Sequence, residues 1–148
     1  MDEKILSFLI EARKNTYASG KKPKKIANGN VYSIKRGNLE YRDTFFDQER
    51  FFQGQEIIFK NSRPIWSTSY RGAAVEGNEA KEVFGYLQKI LREHSDKVRL
   101  LGKKEYSDGN WRYQDKCDGN LDEFFGEEKI YFKEKIAHWM KYFGGEIK

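Results

Sequence analysis

The fold is decided by residues 37–72, which read GNLEYRDTFFDQERFFQGQEIIFKNSRPIWSTSYRG. Residues 109–144 align with this segment at a constant offset of 72, without a gap, and read GNWRYQDKCDGNLDEFFGEEKIYFKEKIAHWMKYFG. Ten of the 36 aligned positions are identical, where about two are expected by chance. These positions are Gly37/Gly109, Asn38/Asn110, Tyr41/Tyr113, Asp43/Asp115, Phe52/Phe124, Gly54/Gly126, Glu56/Glu128, Ile58/Ile130, Tyr70/Tyr142 and Gly72/Gly144. The sequence therefore predicts an internal duplication.

Each copy is predicted to begin with a helix, because apolar residues recur there at spacings of three and four. In the second copy this stripe follows Asn78, a candidate N-cap, and comprises Ala80, Val83, Phe84, Leu87, Ile90 and Leu91. In the first copy a shorter stripe fades near Ser19 and Gly20 and comprises Ile5, Phe8, Leu9 and Ala12. We interpret both stripes as core.

The aromatic and β-branched segments after each helix predict antiparallel strands, joined by turns at Gly37-Asn38, Gly109-Asn110, 60–63 and 133–135. The predicted strands lie near 31–35, 39–46, 54–60, 64–74, 98–107, 111–118, 126–132 and 136–146. The expected fold class is α+β, a single domain over residues 1–148. Its two tandem helix–four-strand repeats, approximately 1–76 and 77–148, would form a pseudo-two-fold domain with a curved antiparallel sheet and helices on one side.

Composition excludes several classes of protein. Aromatic residues make up 16% of the chain, which excludes disorder over most of it. The apolar runs are far shorter than the ~20 residues that cross a bilayer, and no signal peptide is recognisable. We therefore expect a cytoplasmic protein without membrane association. The single cysteine, Cys117, forms no internal disulfide, in agreement with a reducing compartment.

The net charge of +5 is concentrated near the N-terminus. Residues 1–36 contain nine Lys and Arg against three Asp and Glu, whereas the remaining 112 residues contain nineteen against twenty. Most of the excess lies in a Gly- and Pro-containing stretch without hydrophobic period, at Lys21, Lys22, Lys24, Lys25, Lys35 and Arg36. Because a short basic run is a weak signal for nucleic acid, a solvated loop is the favoured interpretation.

A combination of short motifs is specific enough to indicate a family. In the first half the motifs are Phe8–Ala12, Thr16–Ala18, Tyr41–Phe46, Phe52–Phe59, Pro64–Trp66 and Tyr70–Gly72. In the second half they are Gly119–Asn120, Phe124–Ile130 and Tyr142–Lys148. Over nearly the whole chain the sequence resembles a bacterial domain-of-unknown-function family, number 5680. The resemblance implies no settled activity, although some members look like the C-terminal part of helix-turn-helix proteins.

Strand alternation places acidic side chains among apolar ones. Asp43 shares a face with Tyr41 and Phe45, and Asp115 shares one with Tyr113 and Cys117. Glu56 and Glu128 each share a face with an isoleucine. Unpaired carboxylates are costly in such surroundings, so each must meet a hydroxyl, an N–H group, a cation or a ligand. Two alternatives stay open for the glutamates: acceptors at a bulge near Gly54 or Gly126, or an acidic lining of a central cleft.

The last strand of each copy carries an aromatic stripe, which is either core or the wall of that cleft. The candidate ligand-binding residues are therefore Asp43, Glu56, Trp66, Tyr70, Asp115, Glu128, His138 and Tyr142. An aromatic and acidic cleft at the repeat interface suits an organic cation or an amphipathic ring. The leading hypothesis is a bacterial cytoplasmic binding domain that senses a small molecule or a protein partner.

Catalysis is not favoured, and no catalytic residue, metal or cofactor is assigned. Cys117 with His94 or His138 forms no recognisable nucleophile–base signature, and no phosphate-binding glycine loop occurs. Two alternatives from other classes are kept. One is a hydrolase that uses Asp/Glu pairs such as Asp43 and Glu56 in the same cleft. The other is a nucleic-acid-associated protein that uses Lys21–Lys25. The sequence assigns no oligomeric state.

Overall fold

The computed structural model describes residues 1–148. The chain forms one nine-stranded antiparallel sheet, two α-helices and a short 3₁₀ helix at Tyr17–Ser19. The helices are α1 (Glu3–Lys14) and α2 (Ala80–Glu93). The strands are β1 (Lys24–Ile26), β2 (Gly29–Arg36), β3 (Leu39–Gln48), β4 (Phe51–Lys60), β5 (Arg63–Ala74), β6 (Gly102–Asp108), β7 (Trp111–Asn120), β8 (Glu123–Phe132) and β9 (Lys135–Glu146).

The strand order is β1-β2-β3-β4-β5-β9-β8-β7-β6, so β5 and β9 lie in the middle of the sheet. These two strands pair over nine positions, from Trp66 opposite Glu146 to Ala74 opposite His138. Sequential hairpins build outward from that central pair on both sides. The two halves of the chain therefore share one uninterrupted hydrogen-bonded sheet.

The predicted fold class, two tandem helix–four-strand repeats with helices on one side, is wrong. The first half contributes five strands and the second four, and together they form a single sheet. Neither helix packs only with the strands that follow it. The core around Phe8 and Leu9 of α1 includes Tyr41 from one half and Tyr142 from the other. The core around α2 likewise includes Ala74 from the first half, because β5 and β9 bring both halves under both helices.

Local turn and helix signals account for the individual elements. Asp2 caps α1 by accepting a hydrogen bond from the Ile5 N–H at 2.8 Å. Gly37 and Gly109 have φ near +60° and connect hairpins as predicted. The predicted N-cap Asn78 is wrong, because its side chain donates to the Val75 carbonyl and α2 begins after Glu79 without a side-chain cap.

The strand register recurs at an offset of 72. Asp43 lies opposite Glu56 and Asp115 opposite Glu128, while Tyr70 lies opposite Gly54 and Tyr142 opposite Gly126. The register shifts fall at Ile58/Phe59 and Ile130/Tyr131. A bulge at Gly54 or Gly126, one of the two alternatives considered for the glutamates, is therefore wrong. The glycines make room instead for the tyrosine rings opposite them.

The basic stretch was expected to be a solvated loop, but part of it forms a strand. Lys24–Ile26 pairs with β2 and forms an exposed strand at one edge of the sheet. Lys25 Nζ donates to Asn30 Oδ1 at 2.5 Å, and the lysines of this stretch, Lys25 included, are exposed. A polar edge strand of this kind discourages pairing with another chain.

Candidate functional site

Each half of the sheet buries a glutamate that is fully hydrogen-bonded. Glu56 accepts from Nε and Nη2 of Arg13 at 2.8 and 3.0 Å and from the Tyr41 hydroxyl at 3.0 Å. Both of its oxygens are occupied by these three donors. Burial opposes ionisation of Glu56, but the Arg13 charge and hydrogen bonds outweigh it and lower the Glu56 pKa. Glu56 is thus a structural carboxylate, held ionised in a bidentate ion pair.

Glu128 occupies the equivalent position in the second half. It accepts from Nε and Nη2 of Arg99, both at 2.9 Å, and from the Tyr113 hydroxyl at 2.6 Å. His138 Nε2 lies 3.1 Å from the same carboxylate. Burial raises the Glu128 pKa, but the Arg99 charge and the bonds from His138 and Arg99 bring it well below its ordinary value. The two arginines are linked, since Arg13 Nη1 donates to the Arg99 carbonyl at 3.2 Å.

Each neighbouring aspartate accepts a hydrogen bond from a tyrosine that packs against a glycine of the adjacent strand. The Tyr70 hydroxyl donates to Asp43 at 2.6 Å, and the Tyr142 hydroxyl donates to Asp115 at 2.7 Å. A Cβ atom at Gly54 would lie 2.6 Å from the Tyr70 hydroxyl oxygen, and one at Gly126 would lie 2.1 Å from the Tyr142 ring. The repeated glycines therefore allow the two tyrosine–aspartate hydrogen bonds.

The two aspartates differ in their second oxygen. The second oxygen of Asp115 accepts the Arg99 backbone N–H at 2.7 Å, whereas that of Asp43 accepts no hydrogen bond from the protein. Burial and then the charge of Glu56 raise the Asp43 pKa to about 7. Burial and then the charge of Glu128 raise the Asp115 pKa to about 6. Asp115 is closed off by its partners, and Asp43 is available to a further donor.

Asp43 lines a cavity of about 280 Å³. The cavity lies against β3, β4, β5 and Met140 of β9. It is completed by α2, the segment 95–99, the end of α1 and the 3₁₀ helix. Its aromatic wall includes Phe45, Phe52, Tyr70 and Phe84. Its charged lining consists of Arg13, Asp43, Asp47, Glu49, Glu56 and Arg99. A mostly apolar cavity with a few convergent polar groups is typical of a small-molecule site.

Of the eight residues predicted as ligand-binding, the structure brings three to this cavity: Asp43, Glu56 and Tyr70. Trp66 is buried in the core around α1. Asp115, Glu128, His138 and Tyr142 form the buried network of the second half and do not line the cavity. The acidic lining is therefore confined to the first half.

Several residues of the cavity were not predicted from the sequence. Arg13 lies on α1 four positions after Leu9, at the border of the buried stripe, and this position was an available signal. Arg99 follows α2 in an irregular segment with φ of +57°, where no periodic pattern marks it. Phe84 and Leu87 were assigned to the core, but they also line the cavity.

A comparison with known families finds a match over the part of the chain that forms most of the sheet. The model of the family described as Domain of unknown function (DUF5680) matches residues 43–147, more than half of the chain. The chain belongs to the DUF5680 family. The matched residues include Asp43, Glu56, Tyr70 and Arg99, whereas Arg13 on α1 lies ahead of them. No curated protein and no solved structure matches the chain. Neither helix is long and apolar enough to cross a membrane.

Proposed function

We propose that this DUF5680 protein is a non-catalytic bacterial cytoplasmic binding domain whose cavity takes up a small organic molecule. The observation that supports the proposal most is the cavity, with its aromatic wall and the open oxygen of Asp43. Its volume of about 280 Å³ is close to the ~300 Å³ at the lower end of ligand pockets. A bound molecule would cover the apolar walls and give Asp43 a hydrogen-bond donor.

Binding is favoured over hydrolysis by the state of Glu56. An Asp/Glu hydrolase needs two carboxylates, of which one acts as acid and the other as base or nucleophile. Of the pair considered for hydrolysis, Asp43 is open, but both oxygens of Glu56 are held by Arg13 and Tyr41. Glu56 is therefore not available to attack a substrate or to activate water.

The proposal is tested by thermal unfolding with a panel of small cationic, sugar and nucleotide compounds. A ligand that binds only the folded state raises the unfolding temperature as its concentration rises. The variant Ser95→Trp adds bulk to the half-buried lining of the cavity and should abolish that rise. The matched control Ser107→Trp, at an exposed position on β6, should preserve it. A rise that persists unchanged in Ser95→Trp would place binding elsewhere and contradict the proposal.

A further inference from the structure

The charges that line the cavity are not balanced. Arg13 is neutralised by its bidentate pair with Glu56, and Arg99 by its bidentate pair with Glu128. Asp43 has no such cation, because its only partner is the neutral Tyr70 hydroxyl. The two remaining charged residues of the lining, Asp47 and Glu49, are also acidic. The cavity therefore carries an excess of negative charge.

Asp43 combines deep burial with an unused acceptor. The residue is only 7% exposed, and the oxygen that Tyr70 leaves free has no donor in the protein. A carboxylate with this little exposure is costly unless donors meet its oxygens, and a cationic N–H group is the donor that relieves this cost best. The equivalent Asp115 shows the satisfied state, in which a tyrosine hydroxyl and an N–H group occupy the two oxygens.

The surroundings of Asp43 suit the body of an organic cation. Phe52 is at the centre of the aromatic wall, with ring centroids 6.1 Å from Tyr70 and 5.9 Å from Phe84. Aromatic faces attract a nearby cation and also pack against hydrocarbon. An anion is disfavoured, because Asp43 would repel it and both arginines are already paired.

Resting on the proposed function, we infer that the ligand of this cavity is a protonated organic amine with an aromatic or similarly apolar body. Its ammonium group donates to the open oxygen of Asp43, while its body packs against Phe52 and Phe84. Asp43 and Tyr70 are thus specificity-determining residues, and Asp115 with Tyr142 is a similar pair without access to the cavity.

The test compares three probes that share one phenyl skeleton: 2-phenylethylamine, 2-phenylethanol and phenylacetate. Affinities are measured by isothermal titration calorimetry at pH 8, where Asp43 is mostly ionised. We expect the amine to bind at least tenfold more tightly than the alcohol and the acid to bind most weakly. Asp43→Asn should reduce the difference between amine and alcohol to about twofold. Asp115→Asn, the matched control, should leave the difference intact because Asp115 does not line the cavity.

The possible outcomes distinguish failure of the amine inference from failure of the proposed function. If the alcohol binds as tightly as the amine and Ser95→Trp abolishes both, the cavity is a ligand site and the amine preference is wrong. Retention of the tenfold preference in Asp43→Asn would also overturn the inference. If none of the three probes binds at millimolar concentration, the amine inference is overturned, and the broader panel of thermal unfolding then decides the proposed function separately.

Discussion

Asp43 makes stability depend on pH in a direction opposite to that of an ordinary ion-paired aspartate. Its pKa is about 7 in the folded protein, against about 3.9 for an unperturbed aspartate. Between these values the folded state binds more protons than the unfolded state, so the free energy of unfolding falls as pH rises. Burial and then the charge of Glu56 raise this pKa, while the Tyr70 hydrogen bond and the charges of Arg99 and Arg13 lower it.

The first prediction is that Asp43→Asn stabilises the protein above pH 7. The amide keeps an acceptor for Tyr70 and removes the buried charge, so the gain should be roughly 2–4 kcal/mol at pH 8. It should vanish near pH 4, where Asp43 is protonated in the folded state. Urea unfolding at the two pH values measures this, with the exposed Asp118→Asn as control for a lost surface charge. A loss of stability at pH 8 would contradict the assigned pKa.

The second prediction concerns the two buried glutamates. Glu128→Gln removes the counter-ion of Arg99 and the carboxylate that His138 contacts, at a side chain with no exposure, and should cost about 3–5 kcal/mol. Glu56→Gln should cost less, because Glu56 has no histidine partner and borders the cavity, so that water can reach the new amide. Denaturant midpoints of both variants, with Glu127→Gln, whose side chain is 44% exposed, as control, measure the difference. Equal losses would mean that neither the cavity beside Glu56 nor the His138 contact of Glu128 affects the cost.

At the scale of residues, strand alternation was sufficient to place Asp43 and Glu56, which are buried, and Tyr70, which is half-buried, on the inner face. It was not sufficient to separate Asp43 from Asp115, because each follows a tyrosine by two positions and lies opposite a glutamate. The difference comes from the Arg99 backbone N–H, which reaches Asp115 from a segment outside the sheet. Such a contact depends on the path of an irregular loop, for which the sequence carries no periodic signal.

At the scale of elements, the repeated glycines of β4 and β8 are explained by the tyrosines opposite them. Our third prediction is that Gly126→Ala destabilises the protein by about 1–3 kcal/mol, because the new methyl group overlaps the Tyr142 ring. Gly54→Ala should behave similarly through Tyr70 and Thr44. The matched control is Gly85→Ala in α2, where a Cβ meets nothing within 4 Å. This helical substitution should stabilise by about 0.5–1 kcal/mol.

Thermal unfolding of the three variants distinguishes a packing effect from a general intolerance of alanine. If Gly126→Ala were neutral, the Tyr142 ring would have to move and its hydrogen bond to Asp115 would be lost or displaced. The tyrosine–aspartate bond would then not be the reason for the glycine. Restoration of stability by Tyr142→Phe in the Gly126→Ala background is not expected, because the ring itself causes the overlap.

Most strands and turns were predictable because their signals are local. Gly37-Asn38 and residues 60–63 mark turns, and period-two alternation marks the strands between them. The assembly of these strands was not predictable in the same way. Pairing of β5 with β9 joins residues about seventy positions apart, and an identical hairpin pattern is compatible with two separate sheets. The sequence pattern was interpreted as two repeats, and the pairing of β5 with β9 joins them in one sheet.

At the scale of the whole molecule, the nine residue pairs that join β5 to β9 imply a single cooperative unit. Both core clusters take residues from the two halves, and Arg13 of the first half bonds to the Arg99 carbonyl of the second. Separating the halves would expose two long strand edges and divide both cores. The internal duplication of residues 1–76 and 77–148 stays a prediction about the origin of the chain, whereas cooperativity depends on these contacts.

The last prediction is that both halves unfold in one transition. Calorimetric and van't Hoff enthalpies of unfolding should agree, and native-state hydrogen exchange should give similar opening free energies for the paired amides of β3–β4 and β7–β8. A fragment of residues 1–76 should fail to fold, because it retains α1 but lacks Met140 and Tyr142, which complete its core. Exchange that is much faster in one half, or a folded fragment, would show that the central β5–β9 pairing is an interface between independent units.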